Sequence, residues 1–158
     1  MNWQGTLLWG FTGTVLLTTI TRASQAFGLT RIDFPFILGT IFTPNRDRAK
    51  VIGFLVHLVN GWVFAFLYAT YFQSIGRATW WIGGILGLAH GVFTLVVLMP
   101  VIAAAHPRMA TESWGPTPTR QLEPPGFLAL HYGRRTPIVT LVAHVLYGIV
   151  LGAFYTSV

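Results

Sequence analysis

Four stretches of the sequence are strongly apolar over about twenty residues each, and shorter, more polar stretches separate them. The hydrocarbon core of a bilayer is about 30 Å thick, so about 20 apolar residues in a helix can cross it. The pattern predicts membrane-spanning helices over about 5–27, 50–73, 80–104 and 137–156. We therefore expect an all-α integral membrane protein, with four transmembrane helices in a single domain covering 1–158.

Two connecting segments contain apolar stretches that are too short and too interrupted to cross a bilayer. Residues 28–49 include Pro35 and Gly39, and residues 105–136 include PPGFLALHYG, three residues before the end of the segment. Proline removes a backbone donor and interrupts helices. We expect both segments to contain short elements lying at the membrane surface, and we expect Pro100 to kink the third helix.

The second and fourth predicted helices share the pattern H-x-x-x-G-x-x-x-x-x-x-Y. It is formed by His57, Gly61 and Tyr68 in one helix and by His144, Gly148 and Tyr155 in the other. Each of these helices follows a helix rich in small residues and an interfacial segment. The order predicts two tandem helical hairpins, related by an axis along the membrane normal.

The basic residues are distributed unevenly along the chain. Nine of the ten Arg and Lys residues lie at or beyond the ends of the first and third predicted helices, and only Arg77 lies on the opposite side. Cytoplasmic loops of membrane proteins carry an excess of Lys and Arg. We therefore expect both long loops to be cytoplasmic and both termini to lie outside, in a bacterial inner (plasma) membrane.

The composition agrees with a lipid environment and excludes several kinds of chemistry. Of the 158 residues, 53% are hydrophobic and 9% are charged, whereas soluble domains have roughly 25% charged residues. Loop arginines and anionic lipid headgroups explain the net charge of +6, so nucleic acid is not expected as a partner. The absence of cysteine excludes disulfides, thiolate metal sites and iron–sulfur clusters.

Three histidines, His57, His90 and His144, fall inside predicted spans. Ionisable residues are rare there and indicate a functional site by default. His57 and His144 lie at matching depths, each with a glycine one turn later. His90 follows a glycine stripe in the third helix and is expected nearer the membrane midplane, about one turn away. We predict that His57 and His144 face one interior site, with His90 lining the same space.

Neutral imidazole is a good axial ligand for haem iron, and helical bundles hold cofactors between facing helices. The predicted cofactor is a haem or chlorophyll-type tetrapyrrole. A three-histidine zinc or copper site is less expected because of the predicted depth of His90. A purely structural alternative stays open, in which each imidazole is hydrogen-bonded across helices to Thr, Tyr, Asn or a carbonyl group.

No nucleotide-binding loop, Ser-His-Asp set or spaced carboxylate pair is found in the sequence. We expect a small non-catalytic subunit or assembly protein of a larger membrane complex, redox or photosynthetic in kind, with other membrane subunits or further copies of itself as partners. A small transporter or channel-like oligomer is the alternative. The long loop contains His106, His131, Glu112 and Glu123, which we expect to be solvated.

Overall fold

The structure is a computed structural model, and it describes residues 1–111, 113–120 and 122–156. Helices form the regular structure of these residues, as the sequence predicts. Three helices are long and apolar enough to cross a membrane, and they span Arg46–Ser74, Trp80–Ala105 and Thr136–Phe154. These helices are compatible with an integral membrane protein.

The helices are, in chain order, α1 (Trp3–Ala26), α2 (Phe34–Phe42), α3 (Arg46–Ser74), α4 (Trp80–Phe93), α5 (Met99–Ala105) and α6 (Thr136–Phe154). A π-helical turn, Thr94–Leu98, joins α4 and α5. A kinked segment of 3-10 turns, Phe127–Tyr132, precedes α6, and its kink lies at Leu128 and Ala129, whose φ angles are positive. Helix α3 begins earlier than the predicted residue 50 because the Asn45 side chain accepts hydrogen bonds from the first backbone N–H groups of the helix.

The first connecting segment contains a true helix, α2, where the sequence predicted only a short interrupted element. The Asp33 carboxylate accepts a hydrogen bond from the Phe36 backbone N–H at 3.0 Å. Pro35 lies in the first turn, where a backbone N–H has no acceptor within the helix, so its absence costs no hydrogen bond. Helix α2 lies directly against α3, since a Cβ on Gly53 would be only 1.7 Å from the Pro35 carbonyl oxygen.

Near Pro100, where the sequence predicts a kink, the structure has the π-helical turn Thr94–Leu98. The Met99 N–H donates to the Thr94 carbonyl group, five residues back. Proline cannot donate a backbone hydrogen bond and its ring crowds the preceding turn. A single wider turn allows one continuous helix to run from Trp80 to Ala105.

Helix α1 packs between α3 and α6, and α6 packs along α4. Helices α3 and α6 each use the glycine one turn after their histidine for a close contact. A Cβ on Gly148 would be 2.0 Å from the Gly83 carbonyl oxygen on α4, and a Cβ on Gly61 would be 1.8 Å from Thr14 Oγ1 on α1. The repeated glycine therefore allows each of these helices to approach a neighbour closely.

The buried apolar side chains form two clusters. One lies towards the chain termini and includes Phe72, Tyr147 and Leu151. The other lies towards the connecting loops and includes Ile37 and Met99. Both clusters contribute walls to the cavity described next.

Candidate functional site

The three histidines predicted from the sequence line one cavity, which α3, α4 and α6 surround. Helix α1 contributes Thr14 and Leu17 to its wall, and α2 closes one end. The cavity has a volume of about 70 Å³. One enclosed water needs at least about 10–15 Å³ measured in this way, so the cavity has room for a few water molecules.

His144 on α6 is almost completely buried, with 4% of its surface exposed. Its Nδ1 lies 2.7 Å from the Thr140 carbonyl oxygen. A carbonyl oxygen only accepts hydrogen bonds, so Nδ1 carries the proton of the neutral ring. Nε2 is then left with its lone pair, and the Thr94 hydroxyl donates to it at 3.3 Å.

His90 on α4 is in ring contact with His144. The two ring centroids are 4.6 Å apart, and the rings are nearly perpendicular. The ring of Phe64 stacks on the His90 ring, with the two centroids 3.7 Å apart. The Tyr68 hydroxyl lies 3.5 Å from His90 Nδ1, at the limit of a hydrogen bond.

The structure corrects the predicted depth of His90, which lies beside His144 rather than about one turn away. The cause is the glycine stripe of α4. A Cβ on Gly87 would be 2.3 Å from the His144 carbonyl oxygen, and a Cβ on Gly91 would be 3.2 Å from the His144 Cβ. This close packing fixes the register of α4 against α6. The prediction used only the distance of His90 from the helix ends, which does not give that register.

His57 on α3 is the least satisfied of the three imidazoles. Its Nε2 is buried without a hydrogen-bond partner, and within the described residues only Thr140 Oγ1 shares that condition. The ring lies parallel to that of Phe34 with the centroids 6.1 Å apart. A buried polar atom left unpaired costs about 1–3 kcal/mol, so a ligand that paired with His57 would recover this energy.

Two aromatic residues of the cavity were not predicted. Phe34 on α2 has its ring centroid 6.1 Å from those of both His57 and His144. Asp33 and Pro35 beside it are signals of a helix start that could have placed it. Phe64 lies seven residues after His57, a spacing that keeps two residues on one helix face.

The long loop contains a second buried histidine, contrary to the expectation that its histidines are solvated. His106 Nε2 donates to the Ile37 carbonyl oxygen at 2.9 Å, and Nδ1 accepts from the Arg108 backbone N–H at 3.0 Å. Burial lowers the pKa of His106, and the nearby Arg108 charge acts in the same direction. His131 and Glu123 are exposed as expected, and Glu112 lies outside the described residues.

A metal site is not formed by the side chains as they stand. Over residues 1–111, 113–120 and 122–156, no group of three or more His, Asp or Glu side chains is arranged to hold a metal ion. The cavity instead offers one imidazole lone pair on His144, one unpaired nitrogen on His57 and a third imidazole between them and the outside. It can form coordinate bonds or hydrogen bonds to a ligand inside an apolar enclosure.

The fold and the cavity define an all-helical protein that has three helices suited to a membrane and a histidine-lined interior. The chain matches no protein-family model, no curated protein and no solved structure. Its function is therefore inferred from the cavity and from the surfaces around it.

Proposed function

We propose that the chain spans the membrane four times, as two tandem helical hairpins, with α1 as the first span. Helix α1 has 24 residues, which corresponds to about 36 Å at about 1.5 Å per residue. Its threonines do not need water, because Thr14 and Thr18 donate to carbonyl groups four residues back at 2.7 and 2.8 Å. The matching glycine contacts of α3 with α1 and of α6 with α4 support the hairpin arrangement.

In this topology the two long connections are cytoplasmic and both termini lie outside, in a bacterial inner (plasma) membrane. The uneven distribution of basic residues supports this orientation. Reporters fused to the two termini and inserted in the long loop test it. Reporter activity typical of the cytoplasm at either terminus would contradict the topology.

The proposed function of the cavity is to bind a cofactor through imidazole nitrogen. The observation that carries the proposal is the orientation of His144, whose Nδ1–H is held by a backbone carbonyl group while its unprotonated Nε2 accepts only a long hydrogen bond, 3.3 Å, from the Thr94 hydroxyl. Histidines that ligate metals typically donate their other N–H in this way. The unpaired Nε2 of His57 supports the proposal, because cofactor binding would give it a partner.

A haem or chlorophyll-type tetrapyrrole is the proposed class of cofactor. Neutral imidazole suits haem iron, and three imidazoles line the cavity. Such a group would supply electron transfer or light absorption when bound. Pockets for drug-sized ligands measure about 300–1,000 Å³, well above the 70 Å³ of the cavity, so the aromatic side chains Phe34 and Phe64 would have to move to admit the ring.

We propose a non-catalytic role, as a small subunit or assembly protein of a larger membrane complex. The polar groups that line the cavity are imidazoles, hydroxyls and one amide, without a carboxylate to form an acid–base pair. Large apolar side chains such as Val63, Ile85 and Ile138 are exposed on the helices. They suit contact with lipid, with other membrane subunits or with further copies of this chain.

An absorption spectrum of the full chain tests the proposed cofactor. The protein is purified in mild detergent from cells supplied with haem, beside His144→Ala and His131→Ala, the second being an exposed loop histidine. We expect a Soret band in the wild type and in His131→Ala, and its loss in His144→Ala. A colourless wild type that also fails to bind added haem would contradict the proposal, and ion or solute flux in vesicles would then favour the transporter alternative.

A further inference from the structure

Helices α3 and α4 face each other across an open groove on the outside of the bundle. The groove is lined by Phe64, Leu67, Tyr68, Tyr71, Leu86, Ala89, His90 and Phe93. Leu67, Tyr71 and Phe93 are each more than 40% exposed, so in a bilayer this groove faces lipid. Large side chains, rather than glycines, occupy the facing surfaces and hold the two helices apart.

Phe64 and His90 line both the outer groove and the histidine cavity. Their rings are stacked, with centroids 3.7 Å apart and planes inclined by 22°. This single stacked pair therefore lies between the lipid-facing groove and the interior. Rotation of the Phe64 side chain would join the two spaces and would uncover one face of His90.

Asn60 supports an opening at the same place. Its side chain lines the cavity, yet the residue is exposed, and it makes no hydrogen bond within the described residues. An amide group facing lipid without a partner is costly. Asn60 on α3 therefore indicates that the edge of the cavity on this side is open to polar partners from outside the bundle.

We propose that the space between α3 and α4 is a lateral entrance from the bilayer to the histidine cavity, closed by Phe64. The inference rests on the proposed function, and its ligand is the same flat, lipid-soluble tetrapyrrole. With Phe64 turned outwards and Phe34 displaced, the cavity of about 70 Å³ and the groove would become one space, which would admit a ligand larger than the cavity alone.

Uptake kinetics test the role of Phe64. The full chain, prepared without cofactor, is placed in lipid nanodiscs, and zinc protoporphyrin dissolved in vesicles of the same lipid is mixed with it while fluorescence is followed. Phe64→Ala is compared with Phe66→Ala, the same change on the exposed face of α3 where Phe66 stacks on Trp3. We expect Phe64→Ala to raise the rates of uptake and release at least tenfold, and Phe66→Ala to leave them within twofold of wild type.

A reversible cross-link tests the entrance without opening the cavity. Because the chain has no cysteine, Leu67→Cys and Ala89→Cys introduce the only two thiols, one on each side of the groove. A bis-methanethiosulfonate cross-linker, which forms a disulfide with each thiol and releases methanesulfinate, should reduce uptake at least tenfold, and cleavage of these disulfides by a reducing agent should restore it.

The outcomes separate the two proposals. Equal uptake by the cross-linked and cleaved protein, together with equal rates for Phe64→Ala and Phe66→Ala, would overturn the entrance while leaving the cofactor site intact. Failure of the wild type to take up zinc protoporphyrin or haem at all would overturn both proposals.

Discussion

Helix α4 makes two very different contacts, one with α6 and one with α3. Towards α6 it presents Gly83 and Gly87, and the two backbones approach so closely that an added Cβ would be 2.0–2.3 Å from a carbonyl oxygen. Towards α3 it presents Leu86, His90 and Phe93, and a groove and a cavity remain between the helices. The first contact is closed by backbone packing, and the second depends on movable side chains.

The two contacts differ in how closely the backbones pack. Close glycine contacts allow dispersion forces and weak Cα–H···O hydrogen bonds between backbones. Such packing is rigid and fixes the position of His144. The α3 side keeps a buried nitrogen of His57 unpaired, at a cost in stability that the proposed ligand would offset. Three changes test the comparison, from the largest expected effect to the smallest.

The largest effect is expected from Gly83→Ala. Its Cβ would lie 2.0 Å from the Gly148 carbonyl oxygen, whereas a Cβ on the neighbouring Gly84 would meet only the Ile149 side chain at 3.4 Å. We expect Gly83→Ala to lower the free energy of unfolding by about 3 kcal/mol, since overpacking a close-packed contact costs about 1–3 kcal/mol or more. Gly84→Ala, the matched control, should change it by less than about 0.5 kcal/mol. Unfolding by SDS in mixed micelles measures both, and equal effects would contradict the close α4–α6 contact.

A substitution on the cavity side is expected to raise, rather than lower, the free energy of unfolding. His57→Leu removes the unpaired Nε2 and keeps a side chain of similar size, so the ligand-free protein should become more stable by about 1 kcal/mol. The same variant should bind zinc protoporphyrin less tightly. His144→Leu is the matched comparison, and it should destabilise the protein because it removes the side-chain hydrogen bond to the Thr140 carbonyl group and leaves the buried Thr94 hydroxyl without its partner. A destabilised His57→Leu protein would show that the imidazole is structural.

These contrasts also show which features the sequence could reveal. Apolar length and helical period predicted the helical class and four spans, three of which the structure supports as helices able to cross a membrane. The matching pattern around His57 and His144 predicted one interior site, and the structure places both residues on the wall of one cavity. These patterns did not predict the neighbour of His90, because the register of α4 on α6 is decided by how Gly87 and Gly91 fit against another helix. The short element expected in 28–49 is the helix α2, and its helical form was not predicted because Pro35 was interpreted as an interruption. With Asp33 before it, the proline is suited to a first helical turn.

The smallest effect on the free energy of unfolding is expected from His106, which holds α2 at the end of the cavity. His106 holds α2 through the Ile37 carbonyl group, and Ile37 lines the cavity. Burial lowers the pKa of His106 in the folded protein, so the unfolded state binds a proton more readily. The stability associated with the neutral ring is therefore complete above the unfolded value of about 6.5 and is lost as the pH falls below it.

We expect the free energy of unfolding to decrease from pH 7.5 to pH 5, and to decrease less in His106→Gln. Glutamine can still donate a hydrogen bond to the Ile37 carbonyl group but does not titrate in this range. The difference between the two proteins isolates His106 from the other ionisable groups. Parallel curves for wild type and variant would show that His106 does not carry this dependence.

Nitrogen NMR of the histidine rings tests the central claim most directly, namely that His144 carries its proton on Nδ1 and presents an unprotonated Nε2, which accepts from the Thr94 hydroxyl, to a ligand site shared with His57 and His90. The full chain is labelled with ¹⁵N-histidine in nanodiscs, and His144→Gln assigns its signals. We expect His144 to carry its proton on Nδ1, and we expect the Nε2 signal to move when zinc protoporphyrin is added while His131 stays unchanged. A proton on Nε2 of His144, or an Nε2 signal that bound zinc protoporphyrin leaves in place, would contradict the claim.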